Sequence, residues 1–374
     1  MRCWCCCLEC VHNIPPLNLL FLHFSGPALP VPGGGAASPA AASAPVSMAS
    51  ISVPSPVPTA TQDAENIRKA VQGWGTDEKA LIEILGHRTA AQRAEIAVAY
   101  EGLYNESLLD RLHSELSGDF RSAMMLWTAD PAARDAKLAH KALKKKGDRH
   151  VWVLIEVACA STPDHLVAVR KAYREAYAAS LEEDVAACSL YKDPLRQFLV
   201  RLVTSYRCSG GELVDGDLAR AEAAELHDAV VARKQPLHGD VVRIVGSRSK
   251  PQLKATFERY KQEHGKAIDE VLEERRSGDQ LAAMLKTALE QKLTASFLMA
   301  MACCFHLQVI RSSIVGLGTD EESLTRAIVS RAEIDMEKVK EEYKARYGKT
   351  VTSDVNGDTS GYYKGILLTL VGPE

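Results

Sequence analysis

The chain repeats one sequence unit four times between Thr61 and Glu374. A tyrosine lies at the same point of each unit, in AYEGLY, AYREAY, RYKQEH and EYKARY: Tyr100, Tyr173, Tyr260 and Tyr343. A second set of positions is separated by the same three intervals: Arg88, Ser161, Arg248 and Arg331. Because two independent landmarks share their spacing, the sequence predicts an array of four equivalent units of about 70 to 80 residues each.

Apolar residues within one unit recur with the spacing of amphipathic helices, not of strands. For the first unit we expect five helices: one through Ile67 and Ala70, one capped by Thr76, one capped by Thr89, one near Ser107–Leu116 and one ending before Pro131. In the last unit, Thr319 and Glu322 are expected to form a capping box. Aromatic residues make up only 6% of the chain. The predicted fold is therefore all-α, with four repeats of about five short helices stabilised by burial of their apolar faces.

The N-terminal stretch of the chain differs in composition from the four repeats. Residues 1–60 are predicted to be an extension and tail, followed by repeats at 61–130, 131–208, 209–290 and 291–374. Positions 1–47 carry a cysteine cluster, a short apolar run and Pro/Gly/Ala-rich sequence typical of disorder. A signal peptide and acylation of the cysteines are alternatives, but we interpret Met48 as the natural start. The other five cysteines have no metal-ligand spacing, which indicates reduced thiols of a cytosolic protein.

Two glycine-containing loops lie near the start of the first and last repeats. VQGWGTDE, around Gly73, matches IVGLGTDE, around Gly316, and an acid follows each glycine at the same separation: Glu115 and Asp358. Glycine permits the turns that point carbonyls outward, and calcium binds about six to eight hard oxygen ligands in a tolerant geometry. The sequence therefore predicts a calcium site in each loop. Its ligands are the carbonyls of Val71, Gly73 and Gly75 with the Glu115 carboxylate, and those of Ile314, Gly316 and Gly318 with Asp358.

Each predicted site is open, because about two coordination positions remain for water or a phosphoryl oxygen. With one full negative charge apiece, both sites are expected to be weak alone and to tighten when lipid completes them. A lesser metal site in each loop would combine a carbonyl with the next acid: Thr76 with Glu78, or Thr319 with Glu321. Trp74 and Leu317 occupy the loop tips, where an apolar side chain suits the headgroup boundary of a membrane.

The two middle repeats lack both parts of this site. The repeat intervals place Lys146 and Arg233 at the glycine position, and Cys188 and Arg275 at the acid position. We therefore expect no calcium in these repeats by the same mode. Cations on this edge could instead contact anionic headgroups, each contributing roughly 1 kcal/mol. The predicted membrane contacts are Lys144, Lys145, Lys146, Arg233 and Lys234.

Four helical repeats with GxGT loops in the first and last, each matched to a downstream acid, resemble the annexin family over about residues 61–374. The GWGTDE loop and the degenerate middle repeats are similar to the plant branch. The resemblance implies a slightly curved disc with its calcium loops on the convex face. It also implies calcium-dependent binding to anionic phospholipid, a cytoplasmic protein that becomes peripheral at membranes, oligomers on membranes, and a role in membrane trafficking or calcium and stress signalling.

Several other functions are weighed against this one. A net charge of −3 disfavours nucleic-acid binding, and no apolar run is long enough to predict a transmembrane helix. His87 matches a histidine linked to peroxidase-like activity in plant annexins, but one histidine beside Arg88 does not supply a heme pocket. Gly348-Lys349-Thr350 ends like a phosphate loop, yet Tyr343 stands where the leading glycine belongs. We therefore predict no enzyme, with weak peroxidase or nucleotide phosphatase activity left open.

Two further roles associated with the family stay open as alternatives. A calcium-permeable conductance would use charged residues of the middle repeats, but Ser161 replaces the arginine that the other repeats carry at this position. F-actin binding would use Val242-Arg243-Ile244, which fits an ordinary buried helix equally well.

Overall fold

The computed structural model describes residues 48–73, 75–204, 214–275, 279–293, 299–316 and 318–374. Over these residues the chain is helical and contains no strand. The first repeat consists of α1 (Ala60–Ala70), α2 (Glu78–Leu85), α3 (Ala90–Tyr104), α4 (Leu108–Glu115) and α5 (Gly118–Thr128). The second consists of α6 (Pro131–Leu143), α7 (Asp148–Ala160), α8 (Pro163–Tyr177), α9 (Leu181–Ala187) and α10 (Leu195–Thr204).

The third and fourth repeats follow the same order. The third consists of α11 (Gly216–His227), a π-helical turn (Asp228–Ala232), α12 (Gly239–Ser247), α13 (Lys250–His264), α14 (Ile268–Arg275) and α15 (Gln280–Leu293). The fourth consists of α16 (Met299–Ile314), α17 (Glu321–Arg331), α18 (Met336–Tyr347), α19 (Val351–Asp358) and α20 (Gly361–Val371). The predicted all-α fold with five helices in each repeat is confirmed. The extension of residues 1–47 lies outside the described residues.

The third helix of every repeat ends in the same way. Its last turn is closed by a residue with positive φ, and these residues obey the repeat intervals: Asn105 (φ 52°), Ala178 (φ 53°), Gly265 (φ 74°) and Gly348 (φ 66°). A left-handed residue satisfies the last carbonyls of a helix and reverses the chain. The shared backbone conformation shows that the four repeats are built alike, although only two of these four residues are glycine.

Two of the predicted helix caps are wrong. The cap of α2 is Asp77, which accepts a bond from the Ala80 amide at 2.9 Å, and not Thr76. The cap of α17 is Asp320, which accepts from the Ser323 amide at 3.2 Å, so no capping box forms between Thr319 and Glu322. The threonine hydroxyls cannot cap these helices because they are bonded elsewhere, as described below. Thr89, by contrast, caps α3 as predicted.

Buried apolar side chains form two separate cores. One belongs to the second and third repeats and extends from Ala136 to Leu289. The other is shared by the first and fourth repeats and includes Trp127 and Leu367, both fully buried. Helix α5 of the first repeat contacts α17 and α20 of the fourth, and α2 contacts α20. Packing against a common core therefore brings together two repeats that lie at opposite ends of the sequence.

Charged groups connect the halves of the molecule that contain these cores. The buried carboxylate of Glu156, on α7, lies 3.1 Å from Arg326 Nε on α17 and 3.3 Å from His306 Nε2 on α16. At the surface, Lys141 and Arg149 pair with Glu322 and Asp320 at 2.8 and 2.9 Å. The second repeat is thus linked by ion pairs to the start of α17 in the fourth.

Candidate functional site

The glycines of both loops have positive φ values. Gly73 and Gly75 have φ values of 109° and 89°, and their counterparts Gly316 and Gly318 have 148° and 90°. Residues with a side chain rarely adopt these values. Each loop is closed by an equivalent bond, from the Asp77 amide to the Ala70 carbonyl at 2.9 Å and from the Asp320 amide to the Ser313 carbonyl at 2.8 Å. Both loops therefore need glycine where the sequence supplies it.

The structure brings each loop to its predicted acid. Glu115 is the last residue of α4 and Asp358 is the last residue of α19. Thr76 Oγ1 donates to Glu115 Oε2 at 3.3 Å, and Thr319 Oγ1 donates to Asp358 Oδ2 at 2.8 Å. Each carboxylate is thus held beside the loop of its own repeat. Sequence reasoning missed this role of the threonines, although the threonine and its acid have the same 39-residue separation in both repeats.

These threonine hydroxyls are expected to support the metal sites by orienting the acids. Thr319→Val should weaken calcium binding at the fourth repeat by about tenfold, because partners that orient a metal ligand typically contribute that much to affinity. Thr319→Ser keeps the hydroxyl and should bind like the parent chain. Calcium titration calorimetry on the Glu115→Gln background isolates this site. Equal affinity of the valine and serine variants would contradict the assigned role.

The oxygen atoms of the first loop and its acid are suited to contact a cation. Arg111 Nη2 lies 2.7 Å from the Val71 carbonyl oxygen and 3.0 Å from Glu115 Oε1, so one positively charged nitrogen contacts two of the predicted ligands. Calcium takes oxygen ligands at about 2.3 to 2.6 Å, and carbonyl and carboxylate oxygens are the hard donors that it prefers. Among the described residues, no three His, Cys, Asp or Glu side chains could hold a metal ion together. A metal in these loops would therefore depend on backbone carbonyls.

Both loops border one acidic cleft. The cleft has a volume of about 360 Å³ and its lining includes Thr319, Ser360 and the rings of Phe120 and Tyr362, whose centroids are 5.9 Å apart. Five carboxylates also line it: Glu78, Glu115, Asp119, Glu321 and Asp358. Like charges gathered in one cleft repel one another and attract cations. Glu78 and Glu321, the acids of the predicted lesser sites, thus lie in the same cleft as the principal ones.

The middle repeats carry hydrogen-bond donors at the position of the acid. At the acid position of the second repeat, Cys188 Sγ donates to the Leu143 carbonyl at 3.5 Å. At the acid position of the third, Arg275 Nη2 donates to the Val231 carbonyl at 3.2 Å. A hydrogen-bond donor therefore occupies the acid position and bonds to a carbonyl near the end of the first helical segment, where the first and fourth repeats present a carboxylate.

The predicted membrane contacts differ in their surroundings. Lys144, Lys145, Lys146 and Lys234 are exposed, and Lys145 Nζ lies 3.9 Å from Glu322 Oε2. Arg233 is exposed but already pairs with Asp228 at 2.6 Å. Trp74 and Leu317 lie outside the described residues.

The residues of the alternative functions have structural roles. His87 Nδ1 lies 2.7 Å from the Ser52 carbonyl, so the ring joins the segment before α1 to the end of α2. Gly348 ends α18 and Thr350 caps α19, so the GKT sequence forms a helix–helix turn. In α12, Ile244 is buried and Arg243 pairs with Glu222. Among the described helices, none is long and apolar enough to cross a membrane.

Four homologous units of five helices, two of them with oxygen-rich loops, define a helical-repeat protein with candidate metal loops. The annexin family model matches residues 62–127, 134–190, 222–287 and 305–370. The chain belongs to the annexin family, whose members are calcium-dependent phospholipid-binding proteins and are generally not enzymes.

Its relatives include plant proteins and solved structures. The chain is 42% identical to Annexin D3 of Arabidopsis thaliana over 329 residues, which cover 87% of this chain and 99% of the relative. It is 46% identical to Annexin-like protein RJ4 of Fragaria ananassa over 315 residues, covering 84% and 96%. The structure of annexin III has a TM-score of 0.78 at 32% identity, covering 87% of this chain and 97% of the other. Calcium-bound annexin (Sm)1 has a TM-score of 0.71 at 29% identity, covering 84% and 90%.

Proposed function

We propose that this chain binds anionic phospholipid membranes in response to calcium through open sites in its first and fourth repeats. One observation carries the proposal: two loops with equivalent positive-φ glycines lie beside acids that accept hydrogen bonds from equivalent threonines. The ligands are those predicted from the sequence, with Glu115 and Asp358 as the only carboxylates of the principal sites. A role in membrane trafficking or in calcium and stress signalling would follow from such binding.

Charge and geometry determine what the protein oxygens and the lipid each contribute to a calcium site. The loop carbonyls and one carboxylate supply oxygen ligands but little negative charge, so they hold a cation weakly. The loop carbonyls and the acid of each repeat would hold calcium, and the bound ion would supply the positive charge that attracts the anionic lipid headgroup. The fixed glycine turns and the threonine–carboxylate bonds preorganise the ligands, which lowers the ordering cost of binding.

The exposed lysines of the second and third repeats would add a calcium-independent component. Lys144, Lys146 and Lys234 have long cationic side chains on the surface, and attraction to anionic lipid is screened by salt. In chelator, this component should appear as weak binding that disappears at high ionic strength. We expect Arg233 to contribute less, because Asp228 already neutralises it.

Co-sedimentation with phosphatidylserine-containing vesicles over a calcium titration tests the proposal. Glu115→Gln and Asp358→Asn should each weaken calcium-dependent binding, and the double variant should lose it. Glu101→Gln, which neutralises an exposed acid on α3, is the matched control and should bind like the wild type. Wild-type behaviour of the double variant would rule the proposal out.

A further inference from the structure

The side chain of Arg111 lies between the predicted calcium ligands of the first repeat. As described above, its Nη2 atom contacts both the Val71 carbonyl and the Glu115 carboxylate. The carbonyl oxygen and the acid are two of the groups that calcium would need. The same two groups therefore cannot serve calcium fully while the guanidinium remains.

The fourth repeat is arranged differently at the equivalent position. The repeat intervals relate Arg111 to Asp354, which is engaged by Arg311 at 2.6 Å and by the Tyr343 hydroxyl at 2.7 Å. Over the described part of the chain, Asp358 pairs with no arginine or lysine, and its carboxylate accepts a hydrogen bond from Thr319. The two candidate sites thus have equivalent loops and acids, but among the described residues an arginine contacts the predicted ligands only in the first.

In the third repeat, too, an arginine bonds to a backbone carbonyl. There, Arg275 donates to the Val231 carbonyl, and Val231 occupies the position of Val71 in the first repeat. The difference is that the first repeat keeps its acid, and Arg111 is one helical turn before Glu115 on α4. A guanidinium that only bonds to the ligands can move away, whereas the acid position of the third repeat is occupied by Arg275 itself.

The contacts of Arg111 satisfy its side chain only in part. Its Nε atom is buried and has no hydrogen-bond partner, while 27% of the side chain is exposed. An unpaired buried donor is unfavourable, so the observed conformation is not fully satisfied. Movement of the side chain into solvent would hydrate this group.

We propose that Arg111 is an internal competitor for calcium that makes the first repeat fill at higher calcium concentrations than the fourth. The proposal rests on the function proposed above. At low calcium concentration the guanidinium pairs with Glu115 and donates a hydrogen bond to the Val71 carbonyl. Calcium must displace it and then tolerate a nearby positive charge, whereas the fourth site fills without this competition. The protein would respond to calcium in two stages, first through its last repeat and then through its first.

Calcium titration calorimetry on full-length chains tests this directly. Asp358→Asn leaves only the first site and Glu115→Gln leaves only the fourth, so the first of these variants should need the higher calcium concentration. On the Asp358→Asn background, Arg111→Gln should strengthen calcium binding by about tenfold, because it frees both ligands and removes a charge next to the metal. Arg111→Lys retains the charge without the planar fork and should give an intermediate affinity.

Lys79→Gln is the matched control, because Lys79 is an exposed cation on α2 beside the same loop. It should change the affinity by less than about twofold, since exposed charges are strongly screened. Melting temperatures in chelator verify that every variant is folded. Unchanged or weaker binding in Arg111→Gln, with the first site still dependent on Glu115, would overturn the role of Arg111 alone. Full calcium binding by the Glu115→Gln/Asp358→Asn variant would instead overturn the proposed function.

Discussion

Replacement of Glu156 with glutamine is expected to lower the free energy of unfolding by about 3 to 5 kcal/mol, because it leaves a buried cation without its counter-charge. Glu156 is buried between α7, α16 and α17, where it contacts Arg326 and His306. These contacts join the half of the molecule that contains the first and fourth repeats to the half that contains the second and third. Urea unfolding followed by circular dichroism measures the change.

Glu83 provides the matched control for this prediction. It occupies the position of Glu156 in the first repeat, one repeat interval earlier, but 65% of its side chain is exposed. Glu83→Gln should therefore change the free energy of unfolding by less than about 0.5 kcal/mol. If the two variants unfolded alike, the buried cluster would not stabilise the fold as we infer.

The same cluster predicts a dependence on pH. Burial alone would raise the pKa of Glu156, but Arg326 and His306 lower it to about 2, from an ordinary value of 4.5. Because the folded-state pKa is depressed, this stabilisation is present above pH 4.5 and is lost as the pH falls towards 2. The difference in unfolding free energy between wild type and Glu156→Gln should therefore shrink over that interval.

Calcium is expected to stabilise the folded chain strongly. Ligand that binds only the folded state, at about 100 times its dissociation constant, contributes about 2.7 kcal/mol per site. Relief of repulsion among the carboxylates of the shared cleft acts in the same direction. Thermal unfolding of the wild type with calcium should shift upwards by several degrees, and the Glu115→Gln/Asp358→Asn variant should not respond.

Magnesium is the natural control for this thermal shift. It requires a near-ideal octahedral geometry and releases its waters reluctantly, so loops with few carboxylates suit it poorly. An equal shift with magnesium, or an undiminished calcium shift in the double variant, would show that the cations act through general charge screening and not through the loops.

Local sequence signals were sufficient for the repeats, the helices and the loop–acid pairs. The fixed intervals between Tyr100 and Tyr343 reflect a shared helix order, and the structure repeats even the left-handed residues Asn105 and Gly348 at these intervals. Glycine is diagnostic because few other residues adopt the positive φ of Gly75 and Gly318. These features depend on conformation within one repeat, so they can be recognised without knowledge of the packing.

Features that depend on contacts between distant segments could not be predicted. Thr76 and Thr319 have good capping side chains, yet each donates to an acid 39 residues away while the next aspartate caps the helix. Arg111 is an ordinary surface residue by sequence, and only folding places it against Val71. Glu156 and Arg326 are 170 residues apart, at equivalent positions of the second and fourth repeats, and the repeat spacing alone does not show that they pair. Each of these contacts depends on a partner that only the folded chain brings within bonding distance.

We propose that the loops of the first and fourth repeats are the calcium sites of this chain. Calcium titration calorimetry of the wild type and the Glu115→Gln/Asp358→Asn variant under identical conditions, with anionic vesicles present, tests this assignment. We expect saturable binding by the wild type and none by the double variant, whose melting temperature in chelator should remain close to that of the wild type. Wild-type affinity and stoichiometry in the double variant would contradict it.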